Sequence, residues 1–394
     1  MQANFPQRLT DWLSIYPRCA LYRFVRLGNS RVNSATRTMW AARRNFYISI
    51  WRQAATAIGA RFELLDEKGE MWIERNGKFL RIFVNEIYLD TKATIDKAAD
   101  KPLVHRLLTK AAVVVPRHIV ISADRHEPAL RLLKETGGPL VVKPTRNTGG
   151  GSGVSANVCS VSQLLSAIAW ARTFGTEILI EQQIEGDCYR VLLLDGVVID
   201  CIVRHPPSVI GDGTSTILEL IKQENLKRVD EGTKRSQVLI GIDPDLHNTL
   251  HRAGLTLNGR PAAGTVIRLK QAINENARHE NANANGVLCP AIIETARQAA
   301  KLVGVRLAGV DIICRDPKLP LTASNGAIIE INTPPGLYYH YLTPSSAAVA
   351  EMILRNFFGL IVSEKSETEA PDKRGLVAPA NAAGFDDNPK ADAA

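Results

Sequence analysis

The sequence lacks most of the features that mark membrane, secreted or zinc-stapled proteins. No apolar run reaches the roughly 18 residues that a membrane helix needs, and the N-terminus, MQANFPQRLTDWLSIYPR, lacks the basic start and apolar core of a signal peptide. The six cysteines are scattered without a C-x-x-C pair, which argues against structural zinc and against a disulfide scaffold. We therefore expect a cytoplasmic protein with reduced thiols.

The length and composition are those of a globular chain with a sizeable core. Of the 394 residues, 45% are apolar and 22% are charged, which is ordinary for a soluble protein, and the length predicts roughly two or three domains. The segment SEKSETEAPDKRGLVAPANAAGFDDNPKADAA has few large apolar residues. We expect this segment, residues 363–394, to be a disordered tail, because it cannot bury enough surface to fold.

Positive charge is concentrated near the N-terminus. The formal net charge is +8, and the first 60 residues contain nine arginines against one acid, Asp11. Such a patch can attract an anionic substrate or an acidic partner. Because no RNA- or DNA-binding motif accompanies it, we interpret it as a solvated or substrate-attracting face and do not expect nucleic acid as a ligand.

The order of the predicted elements indicates an α+β protein. Alternating runs meet at Asn76-Gly77 and at Asp195-Gly196, and both dipeptides favour the type I′ turn of a hairpin. Helices are predicted in DKPLVHRLLTK, SVSQLLSAIAWAR, STILELIKQEN and PAIIETARQAAKLV, and strands in TEILIEQQI, AGVDIIC and GAIIEIN. We expect mixed and antiparallel sheets with helices on one face.

A glycine-rich loop joins two apolar runs in VVKPTRNTGGGSGVSANV, residues 141–158. In a Walker-type phosphate loop the lysine follows the glycines, whereas Lys143 precedes them here and a second strand follows. The segment is therefore predicted to be a hairpin whose backbone N–H groups can close over phosphate oxygens. A surface hairpin without a ligand is the alternative.

Three oxygen-bearing side chains occur in two otherwise apolar strands. Glu330 and Asn332 are two residues apart in GAIIEIN and share one face, and Asp311 lies in AGVDIIC, which should pair alongside. Polar groups at such positions need partners, and Mg²⁺ would satisfy all three. Pairing of an acid with a buried arginine or lysine is the alternative. If the acids form a like-charge cluster, replacing one by alanine should leave the fold intact and even stabilise the metal-free protein.

With these motifs in this order, the chain resembles the ATP-grasp superfamily of carboxylate–amine ligases over about residues 95–345. Within it, the sequence is similar to the ATP-grasp parts of cyanophycin synthetases and bifunctional glutathione synthetases. RHPPSVIGDGTSTILELI matches a subfamily phrase, and GVDII and IIEINTPPGL match the magnesium-binding strands. The resemblance implies an ATP-grasp fold of two α+β subdomains that clamp ATP, preceded by an N-terminal α/β domain.

The resemblance also implies where the domains divide. The N-terminal α/β region would cover residues 1–95, and a central subdomain with the glycine-rich flap would cover residues 96–182. A C-terminal subdomain with the Mg²⁺ site would cover residues 183–362, and the tail at 363–394 would follow.

Three groups of residues receive roles from the resemblance. The ATP-binding group comprises two phosphate-facing lysines, the flap, an adenine-binding hinge and a ribose contact: Lys101, Lys143, Thr148, Gly149, Gly150, Gly151, Ser152, Gly153, Glu181, Gln182, Ile184 and Asp187. The metal ligands would be Asp311, Glu330 and Asn332, holding two Mg²⁺ ions or Mn²⁺ in their place. The catalytic candidates are Arg204, Lys270 and Asn274. Arg204 would hold an acyl phosphate, and a structural salt bridge is its alternative role.

The sequence departs from the family pattern at several positions. The family's ribose-binding carboxylate falls at Cys188, with Asp187 one residue early. The polar segment LKQAINENARHENANANG replaces the family's serine–threonine–glycine loop. Tyr338 occupies a position where cyanophycin synthetases tend to have arginine, whereas His340 is kept. We therefore expect substrates that differ from those of cyanophycin synthetase.

The reaction implied by the resemblance is ADP-forming amide or peptide bond formation on amino-acid or small-peptide substrates, through an acyl phosphate. Its partners would be small-molecule carboxylates and amines, without a membrane, and homo-oligomers are common among relatives. Two alternatives stay open. One is a ligase that adds amino acids to a protein, with the basic N-terminal region docking the target. The other is a nucleotide-binding protein without catalysis.

Overall fold

The computed structural model describes most of the chain between residues 15 and 360. The described residues are 15, 17–23, 33–87, 89–122, 125–146, 151–235, 239–273, 275, 277–343 and 348–360. The tail predicted at 363–394 lies outside them. The helices are α1 Asn33–Ala57, α2 Lys92–Ala99, α3 Lys101–Lys110, α4 Glu127–Thr136, α5 Val161–Arg172, α6 Ile217–Arg235, α7 Pro244–Arg252, α8 Pro290–Val303 and α9 Val349–Phe357.

The strands form three larger sheets and one two-stranded ribbon within the described residues. Their bounds are β1 Arg61–Leu64, β2 Glu70–Arg75, β3 Lys78–Phe83, β4 Glu86–Ile87, β5 His118–Ser122, β6 Leu140–Pro144, β7 Ser155–Val158, β8 Glu177–Gln182, β9 Asp187–Leu194, β10 Val197–Arg204, β11 Ser208–Ile210, β12 Val266–Arg268, β13 Asn281–Asn283, β14 Leu307–Cys314 and β15 Gly326–Asn332. Across the same residues, no helix has the length and apolarity that crossing a membrane requires.

The N-terminal region packs a long helix against an antiparallel meander. After α1, Gly59 adopts a φ of 65° and lets the chain turn into β1. Strands β1 to β4 then follow in sequence order, and each described pairing is antiparallel. The predicted hairpin is confirmed: β2 and β3 meet at Asn76 and Gly77, whose φ values of 53° and 77° fit a type I′ turn. The antiparallel strands described at 61–87 differ from the α/β organisation expected for residues 1–95 and make the described part of this region α+β.

The second sheet carries the glycine-rich hairpin. Its strands lie in the order β5-β8-β6-β7, all antiparallel. Pairing of β6 with β7 confirms that the glycine-rich loop joins two strands. Helices α4 and α5 cover one face through a core that includes Leu132, Leu140 and Leu164. Ser160 caps the N-terminus of α5, because its side chain accepts a hydrogen bond from the backbone N–H of Gln163.

One face of the third sheet packs on α8, and the other carries charged side chains beside an apolar patch that packs on α1 and α9. Its strands lie in the order β13-β10-β9-β14-β15, and each described pairing is antiparallel, so the prediction of mixed sheets is wrong for this part of the chain. Tyr189, Val191 and Val310 belong to a core shared with α8. The intervening residues face the other way. Direct pairing of Asp311 with Glu330 confirms that their strands are neighbours.

A small insertion between β10 and β13 supports the second sheet at its edge. Strands β11 and β12 pair with each other and share a core with α6 and α7. Helix α7 lies along the outer edge of β7, where Asp245 accepts from the backbone N–H of Ala156 at 3.1 Å and Asn248 donates to its carbonyl at 2.9 Å. These side chains satisfy backbone groups that an edge strand would otherwise expose.

The turn between β8 and β9 depends on Gly186. Its φ is 132°, and a Cβ at this position would lie 2.2 Å from the backbone carbonyl oxygen of Cys314. We expect Gly186→Ala to lower the free energy of unfolding by about 3 kcal/mol or more, since the strained φ and the backbone clash add. In contrast, Gly196→Ala should cost only about 1 kcal/mol, because a Cβ there meets open space. Urea denaturation monitored by circular dichroism measures both, and equal losses would contradict the close approach at Gly186.

Candidate active site

The polar face of the third sheet carries a row of charged side chains. The register pairs Arg190 with Asp311 and Asp311 with Glu330, so β9, β14 and β15 place three charges side by side. In the neighbouring row, Cys188 of β9 pairs with Arg204 of β10. All five side chains share one face because residues two apart on a strand point the same way.

Asp311 is held by a buried arginine. Arg190 donates its Nε–H to Oδ1 and an Nη2 hydrogen to Oδ2, both at 2.6 Å. Burial would lower the pKa of Arg190, but the carboxylate of Asp311 outweighs burial and raises the pKa. The amide of Asn332 donates to Oδ2 at 3.3 Å. Both carboxylate oxygens therefore have partners, and the ion-pair alternative that the sequence left open is what the structure shows for Asp311.

Glu330 is paired with the first predicted phosphate-binding lysine. The Nζ of Lys101, at the start of α3, lies 3.1 Å from Oε1 of Glu330. Burial would raise the pKa of Glu330, but the positive charges of Lys101, Lys143 and Arg190 prevail and lower it to about 2. His105 of α3 lies between the two sheets, because its Nε2 is 3.4 Å from the carbonyl oxygen of Ile329 in β15 and its ring centre is 4.6 Å from that of His118 in β5. Two sheets thus converge on one carboxylate.

The three predicted metal ligands lie together, but each acid has its own cation. The premise of an uncompensated like-charge cluster is therefore wrong. Among the described residues, no group of three or more His, Cys, Asp and Glu side chains could hold a metal ion. The predicted set has two carboxylates and the amide of Asn332. Its oxygens are the hard donors that Mg²⁺ prefers, provided that Lys101 turns to a phosphate and the amide presents its oxygen. The donor set fits the ion, and ligation stays a prediction.

A second buried ion pair lies in the second sheet, between β6 and β8. The Nζ of Lys143 is 2.6 Å from Oε1 of Glu181, and both side chains are almost fully buried. The other oxygen, Oε2, is buried without a hydrogen-bond partner, so it can accept from an amino group such as that of adenine. The backbone N–H of Gln182 donates to the carbonyl of Arg117 at 2.8 Å. This N–H cannot also bind the base, whereas the contact predicted for Ile184 stays untested.

The flap is described at its end but not at its tip. Thr148, Gly149 and Gly150 lie outside the described residues, whereas Gly151, Ser152 and Gly153 form a turn that leads to β7. Gly153 has a φ of 79°, and a Cβ there would lie 2.8 Å from both the ring of Pro144 and the ring of Phe174. Only glycine fits this close approach, which fixes the return of the loop against β6. Phosphate binding by the flap stays a prediction.

The ribose contact predicted at Asp187 is not supported by its position. Asp187 begins β9 and pairs with His205, with 3.6 Å between its Oδ1 and Nδ1 of the histidine. Strand alternation places it on the face opposite to Arg190, away from the other candidate residues. The side chain of Cys188 points to the same face as Arg190, but it carries no charge, because burial raises the pKa of its thiol to about 12. No carboxylate therefore replaces the family's ribose contact at these two positions.

Arg204 is a buried cation without an acidic partner in the described part of the chain. Its Nη2 donates to the carbonyl of Ile273 at 3.0 Å, and its guanidinium lies 4.9 Å from the ring centre of Tyr339. Its Nε is buried without a partner. Burial and the nearby charge of Arg190 lower the pKa of Arg204. The structural salt bridge considered as its alternative role is absent from these residues, so the guanidinium remains available for an anion.

Lys270, by contrast, already has two acidic partners. Its Nζ lies 2.7 Å from Oδ2 of Asp243 and 2.7 Å from Oε2 of Glu275. Burial would lower the pKa of Lys270, but these carboxylates raise it. The charge of Lys270 is thus used inside the fold, and its predicted contact with phosphate or substrate stays untested. Asn274 lies outside the described residues.

Sequence reasoning missed two charged residues on this face. Arg190 lies in CYRVLLL and Asp200 lies in VVIDCIV, so each is a charge inside an otherwise apolar strand. The same signal identified Asp311. Applied to every strand, it would have found the arginine that pairs with Asp311 and the aspartate that accepts a hydrogen bond from His340.

Comparisons with known proteins agree with this geometry. No protein-family profile matches the chain. The cyanophycin synthetase of Trichormus variabilis is 30% identical over 330 residues, which cover 79% of this chain and 35% of that protein. The glutathione biosynthesis bifunctional protein GshAB of Streptococcus agalactiae is 28% identical over 298 residues, covering 72% and 38%. The crystal structure of a bifunctional glutathione synthetase from Pasteurella multocida has a TM-score of 0.51 at 20% identity and covers 78% of this chain and 44% of that one.

The chain is therefore a homologue of the ATP-grasp ligases and has the ATP-grasp fold. Among these ligases it is similar to cyanophycin synthetase and GshAB, and it spans about a third of the length of these curated relatives.

The two acid–cation pairs predict unequal costs of mutation in the metal-free protein. Asp311→Ala leaves Arg190 buried without its partner, and we expect the free energy of unfolding to fall by about 3–5 kcal/mol. Glu330→Ala should cost less, about 1–3 kcal/mol, because it leaves Lys101, whose side chain is 11% exposed, without its partner, while Glu330 itself is 31% exposed. Urea denaturation of both variants measures the difference. Equal, small losses would contradict a structural role for the Arg190–Asp311 pair.

Proposed function

We propose that this protein is an ADP-forming carboxylate–amine ligase that makes an amide or peptide bond between amino-acid or small-peptide substrates. The observation that carries the proposal is the convergence of two sheets on one charged site. Lys101 of α3 pairs with Glu330, and His105 of the same helix contacts both β15 and β5 of the sheet that carries Lys143. Arg204 lies on the same sheet face as Glu330 and has no acidic partner among the described residues. Such a site can bind a triphosphate and then an acyl phosphate.

The central subdomain supplies most of the contacts to ATP. Lys101 and Lys143 neutralise phosphate charge once they leave the carboxylates that pair with them in the nucleotide-free chain. The unpartnered Oε2 of Glu181 accepts from the amino group of adenine. The flap at 148–153 would close over the phosphates and exclude water, which would otherwise hydrolyse an acyl phosphate.

Asp311, Glu330 and Asn332 are the residues that would hold Mg²⁺. We propose two ions, with Mn²⁺ as a substitute, because few carboxylates together with phosphate oxygens suit these hard cations. Bound there, the metal offsets the negative charge of the phosphates during transfer. Arg190 keeps Asp311 oriented throughout, since its two hydrogen bonds fix the carboxylate plane.

The reaction proceeds in two substitutions. A carboxylate oxygen of the first substrate attacks the γ-phosphorus of ATP, and ADP leaves. Arg204 then binds the acyl phosphate, because its fork of N–H donors matches phosphate oxygens. The amine of the second substrate attacks the acyl carbon, the C–N bond forms, and the C–O bond breaks to release orthophosphate.

The proposal includes the domain boundaries at 1–95, 96–182 and 183–362. The segment between β8 and β9, with Gly186, supports a hinge at the second division. Small carboxylates and amines are the proposed partners, in a homo-oligomer. The six cysteines are unpaired, which suits the reducing cytoplasm.

A product assay with Arg204→Met tests the function. ATP, Mg²⁺ and a matrix of amino-acid carboxylates and amines should yield ADP, orthophosphate and an amide detected by mass spectrometry. Arg204→Met should lower the rate by about 100-fold or more, since it removes charge stabilisation at the acyl phosphate. Arg61→Met is the matched control, because Arg61 is an exposed residue of β1. Release of AMP and pyrophosphate by the wild-type protein would exclude acyl-phosphate chemistry.

A further inference from the structure

A histidine and an aspartate form a fully buried pair beside the candidate active site. His340 lies in the 3₁₀ segment Tyr338–Tyr341, and its Nδ1 is 2.6 Å from Oδ2 of Asp200 in β10. Both side chains are 0% exposed. The amide of Asn285 donates to the other oxygen of Asp200 at 2.8 Å, so the carboxylate is held from two sides and fixes the imidazole ring.

The pair determines which nitrogen of His340 is basic. A carboxylate accepts hydrogen bonds, so Nδ1 carries the hydrogen and Nε2 carries the lone pair. Burial lowers the pKa of His340, the hydrogen bond to Asp200 opposes that shift, and the charges of Arg190 and Arg204 add to it. At neutral pH the ring is therefore uncharged and able to take up a proton at Nε2.

Two buried polar atoms on this side of the sheet lack hydrogen-bond partners, one an acceptor and the other a donor. Nε2 of His340 is a buried acceptor without a hydrogen bond, and Nε of Arg204 is a buried donor without one. Arg204 lies over the ring of Tyr339, which precedes His340 in the chain. Leaving such groups unsatisfied costs about 1–3 kcal/mol each. A pair of ligands that offers an anion to the guanidinium and an N–H to the imidazole removes both costs.

The two reactants of amide formation offer these two groups, an anion for Arg204 and an N–H donor for His340. The acyl phosphate is the anion for which Arg204 is suited. An alkyl amine is protonated at neutral pH, so the nucleophile arrives as an ammonium ion whose N–H groups suit Nε2 of His340. This ammonium ion cannot attack until it loses a proton, and the imidazole is the uncharged base beside the anion site.

We propose that His340 is the catalytic base that deprotonates the amine substrate, with Asp200 as the residue that positions it. The inference rests on the ligase function proposed above. The ammonium ion gives one proton to Nε2, and the nitrogen lone pair then forms the C–N bond to the acyl carbon. The C–O bond to phosphate breaks with its electron pair, and the second N–H proton leaves with the phosphate. His340 returns its proton to solvent.

Hydroxylamine separates this role from a merely structural one. It is largely unprotonated at neutral pH, so it attacks an acyl phosphate without a base. The assay contains ATP, Mg²⁺ and an equimolar mixture of the twenty common amino acids as carboxylate donors. Hydroxamate formation with added hydroxylamine measures acyl-phosphate synthesis, and peptide formation without hydroxylamine measures the complete reaction.

We expect His340→Gln to form hydroxamate within about twofold of the wild-type rate and to lose peptide formation by about 100-fold or more, the usual contribution of a general base. His247→Gln is the matched control, because His247 is exposed on α7 and should change neither rate. Loss of both products in His340→Gln, or of neither, overturns the assignment of the base. If the wild-type protein makes no hydroxamate and no ADP, the ligase function itself fails.

A second variant covers the case in which His340→Gln does not fold. Asp200→Asn keeps the size of the side chain, but its amide can donate to Nδ1 and shift the ring proton to Nε2. We expect the same selective loss of peptide formation with hydroxamate formation retained. Normal peptide formation by folded Asp200→Asn would overturn the positioning role.

Discussion

The bidentate pair between Arg190 and Asp311 is the interaction on which the candidate site depends. It joins β9 to β14 across the centre of the five-stranded sheet and removes the cost of burying either charge alone. Because Arg190 offsets the negative charge of Asp311, a second carboxylate, Glu330, can lie beside it on the same face. Arg204 lies on that face too, in the neighbouring row. The opposite face stays apolar and packs on α8. The sheet therefore provides a rigid support for these charges.

A site built for phosphates needs cations that are held in place before the nucleotide arrives. Lys101 pairs with Glu330, and Lys143 pairs with Glu181. Each carboxylate offsets the charge of its lysine, which reduces the repulsion between the two lysines. Phosphate oxygens can exchange for these carboxylates, and the released acids then face the metal or the base.

Local patterns predicted the parts of the fold that depend on local chemistry. The Asn76-Gly77 hairpin and the pairing of Asp311 with Glu330 follow from turn preference and strand alternation, and both are confirmed. Partners distant in sequence were not predictable in the same way: Arg190 is 121 residues from Asp311. The expected like-charge cluster failed for this reason, because a strand pattern shows that a charge is buried but not which cation lies across from it. The N-terminal α/β expectation came from the family resemblance, which covers about residues 95–345 and does not reach the antiparallel meander of β1 to β4.

The contrast between Lys270 and Arg204 shows how a structure separates structural charges from functional ones. Both are buried basic residues that the family pattern marks as catalytic, yet Lys270 has two carboxylate partners at 2.7 Å, whereas Arg204 has a carbonyl, a tyrosine ring and an unpartnered Nε. Buried polar atoms without partners are uncommon in folded proteins. In the proposed reaction, the unpartnered Nε of Arg204 would meet the acyl phosphate and Nε2 of His340 would meet the amine, and neither role depends on the metal ligands.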